Sequence, residues 1–337
     1  MMRRRYSIVV PAYQAASVLG HCLQALIHQT VQRDQYEIIV VDDGSTDHTA
    51  AIARDAGADL VVSVPHRGPA GARNLGVEQA HGEIALFTDA DCEPAPDWLA
   101  CMVTPFAAPQ VMGVKGAYRT RQRAVIARLV QLEYEIRYER MARLPCIDFI
   151  DTYAAAYRRD LFLSYDGFDE TYPIPSAEDV DLSFRIARDG HTLLFVPQAQ
   201  VWHQHPVSLR HYLTRKALYG FWRALLYLRY PDKISGDAHT DPALKAQFAL
   251  LAVAIMSALA SLIWWPLVLL AGATLLLFLG TTLPFVRWAW PRDHVVALIW
   301  PGVTLLRVGM QGAGLSLGLL KQSLAGRKHT HRAQTGR

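Results

Sequence analysis

Leu86-Phe87-Thr88-Asp89-Ala90-Asp91-Cys92 is the stretch from which the fold is read. Apolar, β-prone residues lead into two carboxylates at i and i+2, and the Pro-rich run Glu93-Pro94-Ala95-Pro96 follows at once. At the end of a strand, side chains two apart share a face, so Asp89 and Asp91 can meet one hard cation. A Mg²⁺ ion typically takes one or two protein carboxylates and leaves its other positions to phosphate and water. Two aspartates in a turn are common on any surface, so the pattern gains meaning only from its surroundings.

Working outward, three early segments have the form of buried parallel strands, short apolar runs bounded by turn signals. They are Ser7–Pro11, Glu37–Val41 and Glu83–Thr88, with Asp59–Val64 as a fourth. Helical stretches fall between and after them. Val18–Gln29 has an apolar periodicity, Asp47–Ala56 follows Ser45-Thr46 as N-cap material, and Ala70–Ala80 and Asp97–Phe106 complete the series. Strands alternating with helices imply an α/β domain with a mostly parallel sheet. Ligands of such sheets bind outside the carboxyl ends of the strands. Asp42-Asp43, Asp89 and Asp91 all stand at such ends.

A chain of 337 residues accommodates one large domain with an appendage, or two domains. The formal net charge of +4 gives no sign of a nucleic-acid partner. Cys22, Cys92, Cys101 and Cys146 lack CxxC spacing, so neither a zinc site nor a disulfide framework is expected, and reduced thiols facing the cytoplasm are the simple account. The basic start Met1-Met2-Arg3-Arg4-Arg5 is followed by an apolar run too short for a signal peptide; it is read as a first strand, with no secretion expected.

The last third differs in character. No charged residue occurs from Ala246 to Val286, about twice the length that spans a bilayer. A two-helix transmembrane hairpin over 246–286, turning at Trp264-Trp265-Pro266, is expected. Segment 295–320 carries Arg307 near its middle, costly in lipid, and is read as a re-entrant or interfacial helix before a basic cytoplasmic tail, 321–337. Ahead of the hairpin, 208–230 mixes Arg210, Arg215, Lys216, Arg223 and Arg229 with aromatic and aliphatic residues, the composition of an interfacial helix. Val125–Leu144 reads as an amphipathic helix with a solvated charged face. Basic residues before the hairpin, after it and in the tail belong on the cytoplasmic side of an inner membrane, which two spans satisfy.

Six motifs then stand in order. They are Ser7-Ile8-Val9-Val10-Pro11-Ala12-Tyr13, Glu37 through Asp47, Gly68-Pro69-Ala70-Gly71-Ala72-Arg73-Asn74-Leu75-Gly76, Thr88-Asp89-Ala90-Asp91, Gly167-Phe168-Asp169-Glu170 and Glu178-Asp179. Over residues 6–205 the chain resembles a family 2 glycosyltransferase, an inverting enzyme of the GT-A fold. The resemblance implies a catalytic domain over 1–235 and a nucleotide-diphosphate sugar donor, UDP- or GDP-linked. Pro11 and Tyr13 would flank the base, Asp42 or Asp43 would hydrogen-bond it, and Arg73 would lie in the same pocket. Asp91 would hold Mg²⁺ or Mn²⁺, and Asp89 would reach ribose or metal. A further ligand would come from His203 or His205, with His203 preferred.

By the same resemblance Asp179 is the catalytic base, taking the acceptor hydroxyl's proton as that oxygen attacks the anomeric carbon. Glu178 and Asp181 are its local rivals. Glu178 is otherwise assigned to the nucleotide sugar, and Asp181 to capping a helix that starts near Leu182. Asp169 is a candidate for donor or acceptor binding. The membrane segments favour a lipid-linked acceptor, a polyprenyl phosphate or a polyprenyl-linked saccharide, so that the sugar goes to a hydroxyl or to a lipid phosphate, and a role in cell-envelope polysaccharide or glycolipid synthesis. Processive synthases of this kind carry Gln-x-x-Arg-Trp, whereas Lys216-Ala217-Leu218-Tyr219-Gly220-Phe221-Trp222 stands here, which argues for single-sugar transfer. Two other classes fit the sequence less well. A sugar-nucleotide pyrophosphorylase would need a Gly-rich basic loop where Pro11-Ala12-Tyr13-Gln14 stands, and a non-catalytic membrane scaffold would not need Asp91 or Asp179.

Overall fold

The computed structural model describes residues 4–172, 177–234, 236 and 240–335, with side chains described through Gln322. Expectations touching 1–3, Ser176 and the domain end at 235 lie outside the described residues, as do the tail side chains beyond Gln322. The chain divides into two compact units, Met1–Gln122 with Arg137–His205, and Arg123–Ile136 with Pro206–Arg337.

The first unit is built on eight strands: β1 (Tyr6–Ala12), β2 (Tyr36–Asp42), β3 (Leu60–Ser63), β4 (Ile84–Phe87), β5 (Glu93–Pro94), β6 (Val111–Arg119), β7 (Ala155–Arg158) and β8 (Thr192–Trp202). They form one sheet in the order β3-β2-β1-β4-β7-β6-β8-β5. The four strands expected from apolar runs are β1 to β4, all parallel, and every residue of β2 is buried. That burial requires cover on both faces, which is why these strands read as continuous rather than alternating.

The sheet is mostly parallel, as expected, and carries an antiparallel part. β7 runs antiparallel to both β4 and β6, and β5 antiparallel to β8, while β6 and β8 are parallel. The sequence gives no warning of β7, because Tyr153-Ala154-Ala155-Ala156-Tyr157 has the composition of a helix. Its position between two strands, where both edges of its backbone find partners, overrides that propensity.

The second unit is helical: Leu209–Arg229, Leu244–Ala260, Leu267–Gly280, Leu283–Ala289 and His294–Thr335 pack with the first part of Val125–Met141. A core of Leu129, Leu132, Tyr212, Phe285, Trp300 and Val303 joins four of them, with the Phe285 and Trp300 rings stacked at 3.7 Å, and Leu244, Phe278 and Val308 join the other two to the last helix. Two helices are long and apolar enough to cross a membrane, Leu267–Ala289 and His294–Gln322. Leu244–Ala260, in the first expected span, is shorter, and the chain turns at 261–266 with Trp264 and Trp265 well exposed.

Segment 295–320 lies within one continuous helix, His294–Thr335. The charge that makes its passage through lipid costly is answered inside the protein. Arg307 Nη1 lies 2.8 Å from Glu133 Oε1, Lys216 Nζ lies 3.1 Å from Glu133 Oε2, and the Tyr212 hydroxyl donates to Glu133 Oε1 at 2.9 Å. Burial pushes the Glu133 carboxyl up, but Lys216 and Arg307 outweigh it and hold the group down at about 2. Glu133 is thus more than the solvated helix face expected of this segment.

Leu209–Arg229 was expected to lie on a membrane surface. One of its faces is covered by helix His294–Thr335, the two backbones approaching so closely that a Cβ on Gly220 would strike the Gln311 carbonyl and one on Gly314 the Ala217 carbonyl. Close approach of this sort is the use of small residues between apolar helices. Gly314→Val should therefore lower stability by roughly 1–3 kcal/mol through overpacking, read as a fall in thermal midpoint of the detergent-solubilised protein. Gly302→Ala, where a Cβ meets nothing within 4 Å, should leave that midpoint in place.

Candidate active site

The parallel registers align the carboxyl ends of β1, β2 and β3, with Ala12 beside Asp42 and Asp42 beside Ser63. The chain leaves β1 through Gln14 at φ +50°. Ser45 Oγ accepts from Gln14 N at 2.9 Å and Thr46 Oγ1 from Gln14 Nε2 at 2.8 Å. Ser45 and Thr46 therefore brace this turn instead of capping the next helix, Thr49–Asp55, whose first N–H bonds Asp47 Oδ1 at 3.0 Å.

Asp43 is buried, and its carboxylate accepts from Arg67 N at 2.7 Å and Gly68 N at 3.0 Å, with His66 Nδ1 2.8 Å away. It thereby fixes the entry to helix Gly68–Glu78, where Gly68 takes φ +85°. Asp42 Oδ1 accepts from Ser45 N at 3.1 Å. Pro11 is partly buried in β1, and Tyr13 is 52 % exposed with its ring 4.5 Å from that of His66. His66 was not singled out from the sequence; its only signal is its place just after β3.

Ligand atoms of Asp89, Asp91 and Cys92 lie within 4.8 Å of one another. Burial, then Asp89 and Asp91, push the Cys92 thiol well above its ordinary value, which leaves the carboxylates as donors. His203 Nε2 stands 3.4 Å from Asp91 Oδ2, and the other ring nitrogen of His203 faces His205 Nδ1 at 3.2 Å. His203 is thus turned to Asp91. Two carboxylates and an imidazole form a donor set suited to a hard or borderline divalent ion such as Mg²⁺ or Mn²⁺.

Arg73 is buried between two carboxylates. Its Nη2 donates to Asp89 Oδ1 at 2.7 Å and its Nη1 to Glu178 Oε1 at 3.2 Å. The expected nucleotide ligand is thus engaged with the protein's own acids. Glu178 opens helix Glu178–Arg188, which starts earlier than expected. Asp181 lies within its first turn and pairs with Arg185 Nε at 3.1 Å, so it is no cap. Asp179 follows Glu178, and Asp179 Oδ1 accepts from Val180 N at 2.8 Å. Burial first, then the neighbouring Glu178 charge, raise the Asp179 carboxyl to about 7 despite Arg73 and Lys115.

Asp169 Oδ1 accepts from Thr171 N at 2.8 Å, turning toward its own loop. Asn74, not singled out from the sequence, ties that loop to helix Gly68–Glu78: its Nδ2 donates to Phe168 O and its Oδ1 accepts from Phe168 N, both at 2.8 Å. Glu170 reaches Arg67 Nη2 at 3.2 Å. Lys115, also unforeseen, is fully buried in contact with the Asp151 carboxylate, 3.0 Å from the Tyr153 hydroxyl.

The glycosyl transferase family 2 model matches residues 7–165, the segment that holds β1 to β4 and both aspartate pairs. The chain carries a family 2 glycosyltransferase domain. Among similar proteins, a pre-mycofactocin glycosyltransferase of Mycobacterium tuberculosis is 32% identical over 260 residues, covering 70% of this chain and 51% of that protein. Glycosyltransferase AglE of Haloferax volcanii is 29% identical over 204 residues, covering 56% of this chain and 63% of its own length. The chain thus spans about half of the mycobacterial relative. The structure of mannosyltransferase PcManGT from Pyrobaculum calidifontis, in complex with GDP-Man and Mn²⁺, superposes with a TM-score of 0.61 at 24% identity, covering 95% of this chain and 88% of that one. The fold of this family 2 domain is GT-A.

Arg73 is the strut of the glycosyltransferase site. Removing one partner of a buried ion pair costs about 3–5 kcal/mol because the other is left uncompensated. Arg73→Met should lower the unfolding free energy by about that amount, and adding Glu178→Gln should recover part of it. Denaturant melts of the single and double variants measure the coupling.

Proposed function

We propose that this chain transfers one sugar, with inversion, from a nucleoside-diphosphate donor to a hydroxyl of a lipid-linked acceptor at a membrane. The carrying observation is the Asp179 carboxyl, partly buried and raised to about 7, on a helix whose first residue is tied through Arg73 to Asp89. A general base works best with a pKa near the working pH. Ionised Asp179 takes the acceptor's proton, the acceptor oxygen bonds the anomeric carbon, and the nucleoside diphosphate leaves from the opposite face. A lipid phosphate, already ionised near neutrality, would need no such base, so the raised carboxyl favours a hydroxyl acceptor.

Tyr13 and His66 offer rings to the base of a uridine or guanosine donor, and Asp42 or Asp43 offers an acceptor to its ring N–H. Asp89, Asp91 and His203 would hold Mn²⁺ or Mg²⁺, a reading supported by their donor chemistry and by the Mn²⁺ of the archaeal mannosyltransferase. Bound there, the cation supplies charge neutralisation to the departing diphosphate. Pro11, Asp169 and Glu178 line the donor side in this reading, with Glu178 also setting the charge around Asp179. The exposed tip at Leu262, Ile263, Trp264 and Trp265 supports a hairpin over 246–286 that enters the membrane from the cytoplasmic side, where the catalytic domain and the basic residues stay. Envelope polysaccharide or glycolipid synthesis is the setting that this placement suits.

Donor turnover should rise about tenfold per pH unit up to about 7 and level off above it. Asp179→Asn should lower turnover by about 10²–10⁴-fold and abolish that profile, and Asp91→Ala should remove the response to Mn²⁺. Activity surviving in both variants overturns the mechanism. The raised carboxyl also works against folding. Its ionisation cost is complete above about 7 and shrinks toward pH 4, so Asp179→Asn should raise the thermal midpoint at pH 8 more than at pH 5. A reporter fused after Arg337 should read cytoplasmic, and a periplasmic signal would refute the hairpin.

A further inference from the structure

We infer that His205 is a positioning residue that holds His203 in the ring form able to bind a divalent cation. The inference rests on His203 as a metal ligand and goes beyond it. Strand β8 ends at Trp202, and the next backbone N–H, that of His203, still donates to Arg119 O at 2.9 Å. The side chain of Gln122 then clamps the backbone of His205 from both sides, its Oε1 accepting from His205 N at 2.6 Å and its Nε2 donating to His205 O at 3.1 Å. Thr120 Oγ1 donates to the same Oε1 at 3.0 Å.

The two rings are fixed as firmly. Tyr118 stacks on Tyr153 at 3.3 Å with one face and on His203 at 4.4 Å, and meets His205 edge-on at 5.6 Å. His205 is buried, so its ring is held by packing as well as by its backbone.

Between the two Nδ1 atoms, 3.2 Å apart, there is room for one proton. A neutral imidazole carries one N–H, and the other nitrogen is an acceptor. With the proton on His203 Nδ1, donated to His205 Nδ1, the lone pair of His203 Nε2 points toward Asp91 and is available to a cation. With the proton on His205 instead, His203 Nε2 carries a hydrogen toward Asp91 and ligates nothing. The acceptor behind a ligating histidine sets its tautomer and ring orientation, a role commonly filled by a carboxylate or a carbonyl. Here a second imidazole fills it, beside the one that faces Asp91.

The test is Mn²⁺ affinity of the full-length protein in detergent, titrated with Mn²⁺ alone and followed by the EPR signal of the free ion. His205→Phe, a ring of similar size without nitrogen, should weaken binding by about 10–100-fold. His205→Asn places an amide oxygen where Nδ1 stood and should stay within about threefold of the parent. Equal affinity for His205→Phe and the parent overturns the inference, as does an equal loss in Phe and Asn. Should the Phe variant fail to melt cooperatively, His205→Gln takes its place; its amide reaches the Nε2 position, and parent-like affinity would be just as decisive against the inference. His203→Ala separates the two levels. Undiminished Mn²⁺ binding there removes His203 as a ligand altogether, whereas loss in His203→Ala without loss in the nitrogen-free His205 variants leaves that ligand standing and removes only the role of His205.

Discussion

The catalytic unit depends on one buried cation. Arg73 joins Asp89, at the end of β4, to Glu178, at the start of a helix far along the chain. Without it several acids would face one another in a medium that penalises each ionised group and every like-charged neighbour. With it, the charges of Asp89 and Glu178 are partly offset, Asp91 stands beside His203, and Asp179 keeps a raised carboxyl because burial and the Glu178 charge outweigh Arg73 and Lys115. One guanidinium thus gives adjacent carboxylates different surroundings, Glu178 in an ion pair and Asp179 raised by burial and by its neighbour's charge.

Much of this unit was legible from residue order. The parallel core strands announce themselves because burial on both faces demands unbroken apolar runs, and the aspartates at their ends mark the ligand edge. The misreadings come where a long-range partner outweighs a local signal. Ser45 and Thr46 look like helix caps but brace Gln14. His66, Asn74 and Lys115 gave no signal, because each acquires its role from a residue more than twenty positions away.

In the helical unit the same lesson appears as a charge. An arginine within an apolar segment reads as a reason to break or tilt the helix, since lipid offers it nothing. Arg307 instead meets Glu133, which also takes Lys216 and the Tyr212 hydroxyl. Glu133, the Tyr212 and Lys216 turn, and Arg307 lie far apart in sequence, so only the tertiary arrangement shows that the charge is matched. The close crossing at Gly220 and Gly314 brings Leu209–Arg229 against the helix that carries Arg307, and so brings Lys216 within reach of Glu133.

Asp43 has a consequence of another kind. Its carboxylate already holds the backbone N–H groups of Arg67 and Gly68 and faces the His66 ring, so the loop beyond β3 has its shape before any nucleotide arrives. Ordering a loop on binding subtracts from affinity, and a loop ordered in advance spares the ligand that entropy. In the donor reading proposed above, selectivity at this edge would come from a rigid mould, in which a base of the wrong outline meets a wall that does not adjust.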